Sequence, residues 1–482
     1  MKKILLYTVL ISGLLAGTAC EDFLEKEPSN AVSTGIALAS VEDCNTALNG
    51  VYAYIRAAYL PQAIYYFDVT TDNLVPMKNF ANNYYDLLRY LWNSSSAEAQ
   101  NVWDNRYSTI VNANNIINVI DDLPGDDKDR VRIKSEALVA RALAHHDLVR
   151  LFAKRYNSAT AATDLGVPYV KESTIEDKAR NTVAEVYGGI VQDIEDAIPG
   201  LKDTDINYFS KSAAYILLSR VKLYMQDYPG VIAAAADFEN VSNGTFGLAE
   251  TEKEFKEVWS LDKGKEIVLQ ISLATNEYSQ GRAIGDYFIN DSQGLPHPDV
   301  VPSKNGSTGI VDQYSAGDYR LSAYFRDTVT KQYNTQTLVF KYAGNKTSFP
   351  TATFRTNTVK IFRYAELLLN KAEAQVRAAS AGPALITLNE LLTHRGVAPA
   401  SLVNEDLIFA ERRKEFPVEG HYFHDIKRFG KGFTRINQTD SHPTTNPITV
   451  TATDYHFVWP VPILEMRANR LMKQNEGYVI QE

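Results

Sequence analysis

The chain has 482 residues, of which 49 are lysine or arginine and 58 are aspartate or glutamate, so its net charge is −9 at pH 7. No run rich in lysine and arginine stands out, which makes nucleic acid and anionic lipid surfaces poor partners. Hydrophobic residues make up 45% of the chain, enough to bury a large core as one domain or as two intimate lobes.

The N-terminus has the pattern of a bacterial export signal. Lys2 and Lys3 precede an apolar run over residues 4–16, and the small residues 17–19 lead to Cys20. An apolar run of about a dozen residues is too short to span a bilayer, which needs roughly 20. We therefore predict a signal peptide over residues 1–19, with Cys20 as an acylated N-terminus. The alternative is a plain secretory signal with Cys20 as an ordinary thiol.

Most of the first half predicts helix. In one segment, apolar side chains return at alternating intervals of four and three and so share one helix face. The neighbouring pair His145-His146 lies in this segment, and its two members point in different directions, which predicts one packing role and one surface role. The residues with this spacing are Leu138, Ala142, His145, Val149 and Phe152.

Two later segments, 213–238 and 365–392, resemble each other. Each predicts a helix, a short break with a proline (Pro229 or Pro383) and a second helix rich in small residues. Proline suits the first turn of a helix, and alanines let paired helices approach closely. This pattern indicates tetratricopeptide-like hairpins, although periodicity alone fits a generic helical bundle equally well.

Glycine, asparagine, serine and proline become frequent over residues 239–358, where an alternating apolar pattern at residues 267–273 predicts a short strand. A second loop-like stretch covers residues 61–96. Long loops on a rigid frame commonly carry binding groups. The predicted fold is therefore mainly α-helical, with a helical-hairpin scaffold and an irregular, loop-rich lobe that contains short strands.

Clusters that could support chemistry have simpler explanations. His421, His424 and Asp425 could form part of a metal site, but no further ligands are suggested nearby, so we predict no metal. The charge run 411–415 predicts a solvated face or an internal ion-pair network. No phosphate-binding loop, nucleophile elbow or zinc-protease helix is present, and we predict no catalytic residue and no cofactor.

Several segments resemble the SusD/RagB family in order. The residues after Cys20 match the family's opening, and the acidic pair Glu21-Asp22 resembles the signal that sends Bacteroidetes lipoproteins to the outer face of the outer membrane. One departure is His421, where the family commonly has arginine after Glu-Gly. The matching segments are 134–169, 180–201, 361–374, 411–430 and 456–478.

The resemblance implies four tetratricopeptide-like units and a less regular lobe that bears the ligand surface. It also implies a SusC-like TonB-dependent outer-membrane transporter as partner, and a lipid anchor at the extracellular face of the outer membrane. The implied organisation is a tether at 20–39, an N-terminal helical region at 40–238, a ligand-binding lobe at 239–358 and a C-terminal region at 359–482 with the last hairpin. We expect residues 40–482 to form one compact unit.

The implied function is capture of an oligo- or polysaccharide for uptake, without catalysis. Peptide capture, as in RagB-like members, and a surface glycosidase are the alternatives.

Aromatic residues in the two loop-like regions are the best candidates for the ligand surface, because a sugar ring needs a flat apolar partner with amide or guanidinium groups at its edges. About half of such rings are expected to be core residues instead, and Trp103 and Trp459 lie in family motifs that favour a structural role. The predicted ligand-binding residues are Tyr65, Tyr66, Asp72, Tyr84, Tyr85, Trp92, Asn276, Tyr278, Arg282, Tyr287, Phe288, Asn290 and His297.

Overall fold

The computed structural model describes residues 38–77, 84–174, 176–271, 283–290, 294–331, 335–350, 355–436 and 448–479, with the backbone alone at residues 60–63. The predicted signal segment 1–19, Cys20 and most of the predicted tether lie outside these residues. Three of the predicted ligand residues also lie outside them: Asn276, Tyr278 and Arg282.

Sixteen α-helices dominate the described residues, which confirms the predicted fold class. In chain order they are α1 (Val41–Ala57), α2 (Phe67–Val69), α3 (Tyr85–Arg89), α4 (Ala97–Ile117), α5 (Asp127–Phe152), α6 (Val183–Ala197), α7 (Lys211–Tyr224), α8 (Tyr228–Ser242), α9 (Glu252–Ser260), α10 (Ile284–Phe288), α11 (Tyr319–Tyr324), α12 (Tyr364–Arg377), α13 (Ala381–His394), α14 (Glu405–Glu415), α15 (Tyr422–Phe429) and α16 (Ile463–Ala468). A π-helical segment, Ala58–Tyr66, joins α1 to α2.

Helix α5 is the centre of the first half. It packs against α4 and α6, and every residue from Ser135 to Phe152 is buried. Burial on all faces requires its polar side chains to be paired. Arg141 accordingly makes a two-pronged ion pair with Asp193 of α6, with both nitrogen–oxygen distances at 2.7 Å. Arg141 also donates to Asn114 of α4 at 2.8 Å, so α4, α5 and α6 are joined by polar contacts as well as apolar packing.

The two predicted hairpins are present. Helices α7 and α8 pack against each other, as do α12 and α13, and α12 also packs against both helices of the first hairpin. Pro229 lies in the first turn of α8, where its missing N–H costs nothing. Asp227 caps the same turn, because its Oδ1 accepts a hydrogen bond from Gly230 N at 3.0 Å.

The middle of the chain is irregular with short strands, as predicted. The predicted strand is observed at Ile267–Ile271, and all five of its side chains are buried, so both of its faces are covered. Each described strand pairs with one other in an antiparallel manner: β1 (Leu74–Pro76) with β3 (Val300–Pro302), β2 (Ile267–Ile271) with β6 (Val359–Arg363), β4 (Phe325–Val329) with β5 (Thr335–Val339), and β7 (Phe433–Arg435) with β8 (Ile448–Val450).

The charge run 411–415 belongs to an internal ion-pair network. Glu415 is fully buried and accepts hydrogen bonds at 2.8 Å from both Arg363 and Arg395. Burial alone would raise the pKa of the Glu415 carboxyl, but the two guanidiniums outweigh it and hold the pKa well below its usual range. Arg395 also pairs with Glu266, at 2.8 Å. This network fastens β2 and β6 to the C-terminal helix α14.

Among the described residues, four histidines are buried, His145, His146, His424 and His456, and one prediction about the first two is wrong. His145 and His146 are both fully buried, so neither has the predicted surface role, because α5 is covered on every side. His421 stacks on Phe416 with ring centroids 4.6 Å apart. Asp425 is committed to Arg412, with 2.9 Å between Oδ2 and Nε. Among the described residues, no group of three or more metal-binding side chains could hold an ion.

Candidate functional site

Aromatic rings from the two predicted loop regions meet in space. The ring centroid of Tyr65 lies 4.9 Å from that of Tyr84, 5.0 Å from that of Tyr287 and 5.6 Å from that of Phe288. Tyr66 lies 5.4 Å from Tyr84. These five rings form a single group, the tyrosine cluster. Its members come from stretches that are separated by half of the chain, so only the fold brings them together.

The tyrosine cluster has a buried floor and an accessible rim. Tyr65, Phe288 and Tyr66 are only 1%, 1% and 5% exposed, whereas Tyr84 and Tyr287 are half-buried. Tightly packed rings of this kind cannot reorient without disturbing the core. The floor therefore fixes the two rim rings in place, and the rim is the part that a ligand can reach.

The hydroxyl groups of the tyrosine cluster stay protonated. Burial raises the pKa of Tyr66 to about 12, and burial together with the neighbouring tyrosine raises the pKa of Tyr84 further. The Tyr84 and Tyr287 hydroxyls also hydrogen-bond to each other. The rim therefore presents neutral rings with hydroxyl groups that donate and accept hydrogen bonds, which suits an uncharged polar ligand.

Three of the eight described non-glycine residues with a left-handed backbone flank α3 or follow α10. Tyr84 and Tyr90, which flank the short helix α3, both have φ of 59°, and Asn290 after α10 has φ of 45°. A left-handed backbone costs a residue with a Cβ on the order of 1–2 kcal/mol, although asparagine tolerates it better. Such conformations persist only where the surroundings enforce them, and they are commonly found at binding sites.

Strand pairing holds the two regions side by side. Strand β1 follows Tyr65 and Tyr66 closely and pairs with β3, in a register that places Val75 opposite Val301. Ser303 extends the connection, because its Oγ donates to Asp72 O at 2.7 Å and its N–H donates to Asn73 O at 2.8 Å. The site is therefore built on backbone pairing rather than on loop contacts alone.

Asp72 forms an ion pair with a C-terminal residue. It is buried, at 8% exposed, and its Oδ2 accepts a hydrogen bond from Arg413 Nη2 at 2.9 Å. Arg413 Nε also donates to Asn73 Oδ1 at 2.8 Å. In this structure the Asp72 carboxylate braces β1 against α14.

Tyr85, Asn290 and His297 lie at the edges of the two regions. Tyr85 is 38% exposed, and the Arg89 guanidinium lies 5.3 Å from its ring centroid. His297 N–H donates to the carbonyl oxygens of Ile289 and Asn290, at 3.1 and 3.0 Å. This contact holds Asn290 and His297 together directly after α10, at the end of the helix that carries Tyr287.

Trp92 does not join the tyrosine cluster. It is 2% exposed and packs against Tyr90, His456 and Trp459, with ring centroids 4.5, 4.9 and 5.6 Å away. Together with Tyr455 it lines a separate pocket of about 290 Å³. The residues after position 454 that complete this pocket were not anticipated from sequence, because nothing local in the chain links them to Trp92.

A larger groove of about 640 Å³ lies between α4, the segment 168–178 and α16. Its lining includes Trp103, Tyr107 and Glu465, and it shares no residue with the tyrosine cluster. Tyr107 is committed to the scaffold, because its hydroxyl donates to Pro168 O at 3.0 Å. Trp103 is 3% exposed, as expected for a structural tryptophan.

Comparison with known proteins assigns the chain to a family. Residues 22–223 match the family model described as "Starch-binding associating with outer membrane", and residues 243–478 match the model of the SusD family. The chain is 26% identical to a SusD-like protein of Formosa agariphila, over 98% of each chain. A stretch of 128 residues, 26% of this chain and 23% of the relative, is 33% identical to the starch-binding protein SusD of Bacteroides thetaiotaomicron.

A crystal structure of a SusD superfamily protein from Bacteroides thetaiotaomicron matches with a TM-score of 0.79 at 27% identity, over 90% of this chain and 99% of that one. In the part of the chain that the structure describes, no helix is long and apolar enough to cross a membrane. The order of motifs, the helical-hairpin fold and these matches agree, and the chain belongs to the SusD/RagB family.

Proposed function

We propose that this protein captures an oligo- or polysaccharide at the outer face of the outer membrane and delivers it to a SusC-like TonB-dependent transporter. The observation that carries the proposal is the tyrosine cluster, in which two distant regions of a SusD/RagB chain combine to present Tyr84 and Tyr287 on a rigid floor. The description of the matching N-terminal family model, which names starch binding and the outer membrane, supports the same function.

The chemistry of the rim suits a sugar. A pyranose has an apolar face of C–H groups and a ring of hydroxyls, so it stacks on a flat ring and exchanges hydrogen bonds with neighbouring hydroxyl and amide groups. If one sugar face covers about 60–80 Å² of ring, burial at about 25 cal/mol per Å² contributes roughly 1.5–2 kcal/mol per ring before ordering costs. Two such rings, together with a few water-mediated hydrogen bonds, would give a dissociation constant in the micromolar to millimolar range.

Weak binding fits delivery, because a receptor that hands its ligand to a transporter has to release it. In this proposal the protein is a binding protein without catalysis, anchored through Cys20. The transporter would receive a ligand that is held mostly by ring stacking and by water-mediated hydrogen bonds, and both kinds of contact break quickly.

The test is isothermal titration calorimetry with a panel of soluble polysaccharides that includes starch and laminarin, with reducing ends assayed in the same samples. We expect saturable binding to at least one polysaccharide without release of reducing ends. Tyr84→Ala and Tyr287→Ala should each weaken that binding about tenfold or more, as expected from the loss of roughly 1.5 kcal/mol.

The matched control is Tyr54→Ala, which removes a 39% exposed tyrosine from α1, away from the site. It should bind as the wild type does. Binding to peptides but to no polysaccharide would favour the peptide-capture alternative, and release of reducing ends would overturn the assignment as a binding protein.

A further inference from the structure

A group of buried nitrogen atoms on α4, α5 and α15 lacks hydrogen-bond partners. Within the described residues, no protein group pairs with Arg106 Nε or Nη1, with Arg150 Nε, or with either ring nitrogen of His146 and His424. These side chains are between 0% and 6% exposed. Buried polar atoms are nearly always satisfied, if not by protein then by an ordered guest.

Two of these side chains, Arg106 and Arg150, share one carboxylate, that of Asp147. Its Oδ1 accepts from Arg150 Nη2 at 2.7 Å, whereas Arg106 Nη2 stays 3.5 Å from Oδ2. The Tyr59 hydroxyl is also 3.5 Å away, from Oδ1. A fully buried pair normally draws closer than this, so the long contacts indicate that Asp147 alone does not satisfy its neighbours.

The charges around this group do not balance. Two guanidiniums, those of Arg106 and Arg150, share the single carboxylate of Asp147. The other nearby guanidiniums already have partners of their own: Arg220 pairs with Glu366 at 2.7 Å, and Arg412 pairs with Asp425 at 2.9 Å. One positive charge therefore remains, and an unbalanced buried charge is costly.

The histidines carry no negative charge that could pair with the guanidiniums. Their lowered pKa values also reflect burial and the positively charged surroundings. Burial, followed by the nearby charges of Arg150 and Lys427, lowers the pKa of His424 well below its usual range, and burial with Arg150 does the same for His146. Burial and Arg150 also lower the pKa of Lys427 to about 7. A neutral imidazole has one N–H donor and one acceptor nitrogen, so the excess of donors over acceptors comes from the unpaired guanidinium nitrogens of Arg106 and Arg150.

We propose that the interior between α4, α5 and α15 binds a small monovalent anion, a halide such as chloride, held by Arg106, His146, Arg150 and His424. Such an anion accepts hydrogen bonds without donating any and supplies the missing negative charge. A cation would be repelled by the same groups. A water molecule would accept hydrogen bonds from the donors but would not neutralise the remaining positive charge. The site shares no residue with the tyrosine cluster and does not depend on the proposed function.

The direct test is crystallography of the wild-type protein grown in sodium bromide, with data collected above the bromine absorption edge. We expect an anomalous peak within hydrogen-bond reach of Arg106 Nη1 and Arg150 Nε. Density for water alone at this position, with no anomalous signal, would overturn the proposal.

Thermal melts give an independent reading in solution. At constant ionic strength, replacing sodium gluconate with sodium chloride should raise the melting temperature of the wild type by several degrees, with saturation. His424→Phe keeps the ring volume but removes two of the nitrogens, and we expect it to lose most of this chloride response. His394→Phe, on the half-exposed end of α13, is the matched control and should keep it. An identical chloride response in all three proteins would also overturn the proposal.

Discussion

The ring centroids of Tyr65 and Tyr287 lie 5.0 Å apart, and this contact joins the π-helical segment after α1 to helix α10 in the middle of the chain. Tyr65 is buried and Tyr287 is half-buried, so Tyr65 supports the structure, whereas Tyr287 belongs to the proposed ligand-binding rim. The two should respond differently to the same substitution.

We expect Tyr65→Ala to lower the free energy of unfolding by about 3–5 kcal/mol, because it opens a cavity in the floor of the tyrosine cluster. Tyr287→Ala should cost less than half as much while weakening ligand binding. Urea denaturation followed by circular dichroism measures the first effect. A Tyr65→Ala protein as stable as Tyr54→Ala would show that the floor is not a packing element.

The buried carboxylate of Glu415 should be indispensable to the internal ion-pair network. Glu415→Gln leaves Arg363 and Arg395 without their shared charge partner, and breaking a buried pair from one side costs about 3–5 kcal/mol. The control is Glu405→Gln in the first turn of the same helix, where the carboxylate is half-exposed and pairs with Arg377. An exposed pair of this kind contributes about 1 kcal/mol or less.

Chemical denaturation of the two variants beside the wild type measures this difference. Equal losses in Glu415→Gln and Glu405→Gln would contradict the assignment of a buried network.

Acid should destabilise the protein through its buried histidines, and His145 allows the effect to be isolated. Its Nδ1 lies 3.0 Å from Arg141 O, and its Nε2 accepts a hydrogen bond from Val170 N at 3.1 Å, so the ring is neutral. Burial, with a contribution from Arg141, lowers the pKa of His145 to about 3. The unfolded chain takes up a proton below about pH 6.5, whereas the folded protein does not.

The His145 contribution is therefore complete above about pH 6.5 and is lost as the pH falls toward 3, at about 1.4 kcal/mol per pH unit. His145→Gln can keep both hydrogen bonds and cannot titrate. Between about pH 7 and pH 5, we expect it to lose about 2 kcal/mol less stability than the wild type does. Parallel pH profiles for the two proteins, measured by urea denaturation, would rule out this account.

The fold could be anticipated from sequence because its signals are local. Helix periodicity and the proline at position 229 each act within a few residues, so they predict the first hairpin directly. Sequence also indicated which two stretches carry the candidate site. The sequence does not predict which aromatic rings contact each other, because Tyr65 and Trp92 belong to similar aromatic stretches but pack against different distant partners.

The sequence also does not predict that the polar residues of α5 are buried on every side of the helix. His146 looks like a surface residue when α5 is considered alone, since a polar side chain off the apolar face normally meets water. It is fully buried because α4 and α6 cover two sides of α5 and α7 adds a further neighbour, Tyr224, with its ring centroid 5.0 Å away. Such coverage depends on the whole topology and leaves no local signal.

Membrane anchoring should depend on Cys20, which lies outside the described residues. In a native-like host, we expect Cys20→Ser to be released from the outer membrane, because the acyl chains that contribute about 0.8 kcal/mol per buried methylene would be absent. Cell fractionation and surface labelling measure this, with Cys44→Ser as the control, since Cys44 is a buried core residue of α1. Retention of Cys20→Ser at wild-type levels would show that another feature anchors the protein.

The most direct test of the central claim is a crystal structure of the wild-type protein with an oligosaccharide from the polysaccharide that binds in calorimetry. We predict density for a sugar ring stacked on Tyr84 or Tyr287, with hydroxyl groups in contact with the rim of the tyrosine cluster. Well-defined sugar density elsewhere on the protein, with the rim of the cluster empty, would contradict the proposed site.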